Sequence, residues 1–119
     1  WASKQAVQDF YRQAHVFAFP SYREPGGNVV FEAMGNYLPL IVCDRGGPGA
    51  AVDPSCAFAL QAHDPDQVAR DLAATVRRFL ADPSLVITMG AAARKRLAEV
   101  GLWSAKIDRI AALYDEVAR

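Results

Sequence analysis

The chain has 119 residues, 52% hydrophobic and 22% charged, which is room for one compact domain and not for two full lobes. Lys and Arg number 13 and Asp and Glu 13, and a net charge of zero argues against a protein that binds nucleic acid by neutralising its phosphates. No apolar run approaches the roughly 18–20 residues of a membrane helix, and the chain, which lacks an initial Met, reads as part of something longer.

Ser3 is placed to cap a helix running to about Gln13, with Ala6, Val7, Phe10, Tyr11 and Ala14 along one stripe. His15-Val16-Phe17-Ala18-Phe19 follows and stops at Pro20, a short aromatic and β-branched run that reads as a strand. Residues Ser21 to Gly27 form a loop, and Asn28 or Val29 opens a helix with Val30, Ala33 and Met34 on its inner face. Pro39-Leu40-Ile41-Val42-Cys43 is apolar throughout, as a strand covered on both faces is. Residues Asp44 to Gly49 read as a loop, and Ala57–Leu60 as a short third strand.

Most of the charge lies beyond residue 60, in a pattern of amphipathic helices. Asp64 caps one that Pro65 enters, with Val68, Leu72, Val76, Phe79 and Leu80 as its stripe. A second starts after Pro83, carries Val86, Met89, Ala93, Leu97 and Val100, and ends at Gly101, a C-cap glycine position. Ser104 caps a third, with Ile107, Ile110, Ala111, Tyr114 and Val117. Arg94-Lys95-Arg96 reads as a solvated helix face. Cys43 and Cys56 read as reduced, half-buried thiols of a cytoplasmic protein. Neither His15 nor His63 has a partner at ligand spacing, and no metal site is expected.

The fold class is therefore α/β, a parallel sheet of about three strands with flanking helices, forming a single domain over residues 1–119. The crossover from the first strand to the second is expected to be right-handed. The loops after Phe19 and Cys43 both leave carboxyl ends of parallel strands, the edge where open α/β sheets bind ligands.

One segment carries chemistry. Gly26-Gly27 precedes a helix N-terminus, where free N–H groups and the helix dipole attract an anion such as a phosphate. Glu24 and Glu32, with seven residues between them, are strong acceptors suited to sugar or ribose hydroxyls. A plainer reading stands beside this one. A glutamate early in a helix is favoured by the dipole alone, and a Gly-Gly pair can simply make a turn.

Phe19-Pro20-Ser21, then Glu24, the glycine-rich loop and Glu32-Ala33-Met34, resembles the E-x7-E segment of retaining GT-B glycosyltransferases, notably family 4. Leu38 to Val42 with Asp44 to Gly49 looks like the family's next strand and loop, and Trp103-Ser104 with the helix to Tyr114 looks like its closing helix. The chain departs from the pattern at the bulky Tyr37 and at Gly49-Ala50-Ala51, where the family often has a polar residue.

The resemblance implies a partial Rossmann-like sheet, the C-terminal, donor-binding lobe for a nucleotide-diphosphate sugar. Glu24 would stand near the reacting carbon as the catalytic residue. The backbone of Gly26, Gly27 and Asn28 would hold the diphosphate, and Glu32 would bind the ribose hydroxyls. Transfer would retain the anomeric configuration and need neither metal nor other cofactor. The acceptor lobe and the early strands of the donor lobe have no counterpart in this sequence, so the isolated chain is expected to be inactive. The alternative is a non-catalytic remnant that binds a nucleotide or a partner. The expected partners are the nucleotide sugar and either the missing N-terminal lobe or a second copy paired through Val16–Phe19.

Overall fold

The run around residue 40 is apolar at every position because it is the middle of three strands. In the computed structural model, which describes Trp1–Arg119, β1 (Phe17–Phe19), β2 (Leu40–Cys43) and β3 (Ala57–Leu60) form one parallel sheet in the order β1-β2-β3. Phe17 pairs with Leu40 and Leu40 with Ala57, so the sheet is in step across all three strands. All four residues of β2 are buried. Side chains alternate along a strand, and Leu40 and Val42 accordingly join one apolar layer while Ile41 and Cys43 join the other. Each such aliphatic side chain contributes about 1.5–3 kcal/mol on burial.

The layers come from the helices. Tyr11 of α1 (Lys4–Gln13) and Val30, Ala33 and Met34 of α2 (Asn28–Gly35) fill the first. Val68 and Phe79 of α4 (Pro65–Ala81) fill the second. The next helix, α5 (Ser84–Val100), serves both, with Met89 in one and Ala93 and Leu97 in the other. The Ser3 and Asp64 caps form as expected, each side chain accepting an N–H from the first turn.

Several expectations need correction. Gly46–Ala51, read as mostly loop, is a short helix α3. Its glycines and proline signal a turn, yet proline in a first turn costs no hydrogen bond. Cys43 and Cys56 are fully rather than half buried, and burial pushes both thiols up. They lie in opposite layers.

Arg96 is not a solvated cation. Its side chain donates to the Ala51 carbonyl at 3.2 Å, satisfying an otherwise orphaned C=O at the end of α3, and pairs with Asp53 at 3.6 Å and Glu99 at 3.2 Å. Gly101 ends α5 in a right-handed conformation, and it is glycine because a Cβ there would lie 2.8 Å from the Phe31 ring.

The last helix, α6 (Trp103–Val117), starts one residue before Ser104 with Leu102 as its cap, and none of its residues is buried. Its apolar stripe has no partner in the chain: Ile107, Ile110, Tyr114 and Val117 are all exposed. Val76 and Leu80 of α4 are exposed as well, and with His15, Val16, Phe79, Pro83 and Val86 they line a groove of about 360 Å³.

Candidate functional site

The loop from Ser21 to Gly27 leaves the carboxyl end of β1, and the turn at Asp44–Arg45 leaves the carboxyl end of β2 beside it. The two are joined. Gly47 N–H donates to the Glu24 carbonyl at 3.1 Å. A Cβ on Gly47 would collide with the carbonyl of Gly26 and lie 2.6 Å from that of Pro25. Only glycine allows α3 to hold the loop this closely. Tyr22 anchors the loop from within, its ring packed against the second apolar layer and the Arg45 guanidinium 5.8 Å from its centroid.

The end of this loop sets the start of α2. Gly27 is the N-cap, at φ 68° and ψ 41°, a left-handed conformation that favours glycine. No side chain caps the helix, and the N–H groups of Asn28 and Val29 have no acceptor in the chain. Glu24 curls back over the same turn. Its Oε1 accepts from Gly27 N–H at 2.8 Å and from Gly26 N–H at 3.2 Å. Glu24, Gly26, Gly27 and Asn28 thus form one cluster, in which the two glycine donors are already taken by a carboxylate.

Glu32 belongs to a separate set of contacts one turn along α2. Its Oε2 accepts from the Tyr11 hydroxyl at 3.3 Å, and its carbonyl accepts from Asn36 Nδ2 at 2.9 Å. No hydrogen bond joins it to Glu24. None of the five cavities is lined by Glu24, Gly26, Gly27, Asn28 or Glu32; Gly26, Asn28 and Glu32 are exposed, Glu24 is half-buried and Gly27 is buried. Arg45 and Gly47 stand in the sequence only as members of the loop after β2, and nothing local in it marks the contacts they and Tyr11 make here. Tyr11 lies in the core as its stripe implies, and its hydroxyl contact depends on how α1 and α2 pack.

The model of the family described as glycosyl transferases group 1 matches residues 1–96. The chain belongs to that family. Among group 1 relatives, the D-inositol 3-phosphate glycosyltransferase of Streptomyces avermitilis is 36% identical over 112 residues, covering 93% of this chain and 23% of that protein. The enzyme of the same name from Thermobispora bispora is 32% identical, covering 97% of this chain and 26% of its own length. The solved structure of sucrose-phosphate synthase from Thermosynechococcus elongatus superposes with a TM-score of 0.78 at 31% identity, over 98% of this chain and 28% of that one. The α/β architecture is thus that of a GT-B glycosyltransferase, as the E-x7-E resemblance implied. This group 1 chain spans about a quarter of the length of the curated relatives it matches. No helix in it is long and apolar enough to cross a membrane.

Proposed function

We propose that the segment is the donor-binding part of a retaining glycosyltransferase, acting on a nucleotide-diphosphate sugar in the cytoplasm. The observation that carries this reading is the start of α2: an uncapped helix N-terminus, opened by a left-handed Gly27, at the carboxyl edge of a parallel sheet. Free N–H groups and the helix dipole together favour a diphosphate there. The Asn28 and Val29 N–H groups are open for it, and those of Gly26 and Gly27 become so when Glu24 turns toward the donor sugar.

In this reading Glu24 acts beside the reacting carbon and Glu32 accepts from the ribose hydroxyls. The helix N-terminus, with basic side chains, offsets the diphosphate charge, so that transfer needs neither metal nor cofactor. The acceptor is held by the remainder of a longer protein, because transfer needs it within about 3–3.5 Å of the donor carbon.

Incubation of nucleotide sugars with a panel of acceptors tests the reading. The intact polypeptide is expected to transfer sugar, and the 119-residue chain alone is expected not to. Turnover by the isolated chain that disappears in Glu24→Gln would show that the second lobe is dispensable. Absence of turnover in the intact polypeptide with every donor would remove the catalytic reading.

A further inference from the structure

The contact between α1 and Glu32 bears on how the site recognises its nucleotide. Tyr11 is 8% exposed and belongs to the first apolar layer. Its ring packs 5.9 Å from that of Phe17, and Val7 and Phe17 border the same layer. The core therefore fixes where the hydroxyl sits. Glu32 is the opposite case, an exposed glutamate on a helix surface, free to sample many rotamers until something holds it. The hydrogen bond between them runs from the fixed group to the free one, Tyr11 Oη donating to Glu32 Oε2 at 3.3 Å.

We infer that Tyr11 is a positioning residue, which holds the Glu32 carboxylate in one orientation and leaves its Oε1 open to accept from a vicinal pair of hydroxyls such as those of a ribose. The inference rests on the proposed role of Glu32 as the ribose acceptor and adds to it a source of preorganisation. The polarity of the bond is secure in the neutral range. Burial, with the charge and hydrogen bond of Glu32 in support, pushes the phenol up, so the hydroxyl stays protonated and can only donate to the carboxylate. A structural purpose alone would ask little of this bond. Removing the Tyr11 hydroxyl leaves an exposed carboxylate to water and no buried polar group unpaired. Recognition asks more, since a carboxylate fixed in advance does not lose its rotamer freedom when the ligand arrives.

The test compares ribose with 2′-deoxyribose. Uridine, adenosine and guanosine diphosphates and their 2′-deoxy counterparts are titrated calorimetrically into the intact polypeptide, its Tyr11→Phe and Glu32→Ala variants, and the double variant. Tyr11→Phe is expected to weaken the preferred ribonucleotide about fivefold, to leave its deoxy counterpart within about twofold, and to keep the melting temperature of the parent. Glu32→Ala is expected to abolish the ribose preference, and Tyr11→Phe to change nothing further in that background. An unaltered ribose preference in Tyr11→Phe, with the preference lost in Glu32→Ala, would overturn the role of Tyr11 and leave that of Glu32 standing. Equal weakening of both nucleotides by Tyr11→Phe, or weakening in the Glu32→Ala background, would show that Tyr11 acts through packing. A preference that survives Glu32→Ala would overturn the underlying assignment itself.

Discussion

Glu24 competes with the anion it is proposed to serve. Its carboxylate holds the N–H groups of Gly26 and Gly27, the two donors just ahead of α2. A negative charge at a helix N-terminus is worth about 0.3–1 kcal/mol there, and a diphosphate must displace it or lie beside it. Glu24→Gln keeps an oxygen to accept from both glycines but removes the charge. In the intact polypeptide this variant is expected to bind a nucleoside diphosphate about two- to fivefold more tightly, while sugar transfer falls about 100-fold or more. Titration and an activity assay on one preparation check both halves, and weaker diphosphate binding would move the anion elsewhere. A second residue sits under backbone strain. Tyr37, just past α2, has φ 59° and is the only non-glycine residue at positive φ. For an L-residue that conformation costs about 1–2 kcal/mol, and the ring, 59% exposed, recovers little by burial. Glycine gives part of this back as unfolded-state entropy, so Tyr37→Gly is expected to stabilise the chain by about 0.5–1 kcal/mol. A thermal melt that shifts downward would mean that the tyrosine ring does more than its exposure suggests.

At the scale of elements, the junction of α3, β3 and α5 is held by a polar clip. Ser55 donates to Asp53 through both its N–H and its hydroxyl, and Arg96 reaches Asp53 from α5. The Ser55 hydroxyl first, then its N–H and Arg96, hold the Asp53 carboxyl below the usual carboxylate range against partial desolvation. A carboxylate with a depressed native pKa adds stability above its unfolded value near about 3.9, and loses that contribution as pH falls through the native value. Asp53→Asn is therefore expected to lower stability at neutral pH and to flatten its decline below about pH 4. Denaturant melts at both pH values check this, and identical slopes in the two proteins would remove Asp53 from the acid response. This clip was hidden in the sequence, where Arg96 stands in a basic triplet like any solvated one. What could be read were features with local causes: β2 from its unbroken apolar run, α1 and α4 from their caps, the Glu24–Asn28 turn from its glycines. Helix α3 was not readable, because Gly46-Gly47-Pro48-Gly49 is written for close approach to the β1–α2 loop, a contact between segments some twenty residues apart. The bond from Tyr11 to Glu32 was hidden for the same reason.

Across the whole molecule, apolar surface without a partner gathers on two sides. One is the open edge of β1, which pairs with β2 alone. The groove lined by Val16, Val76, Phe79, Leu80 and Val86 adjoins it through Val16. The other is the stripe of α6, from Trp103 to Val117. Open strand edges pair with other chains unless charge, proline or a covering segment blunts them, and large bare apolar patches favour association. Pro20 lies just past β1 and does not blunt it. The isolated 119-residue chain is therefore expected to self-associate, most simply as a two-fold dimer through β1. The substitution that locates the interface belongs at Ala18, the exposed residue of β1, since Phe17 packs on Tyr11 and Phe19 and its loss would disturb the core. Lysine at an edge position is a natural blunting device, so Ala18→Lys is expected to return the chain to monomer with little loss of stability. Light scattering over a range of concentrations reads the result. Oligomers that persist in Ala18→Lys and dissolve in Ile107→Ser with Ile110→Ser would move the interface to α6, and a strict monomer at high concentration would refute association through either surface.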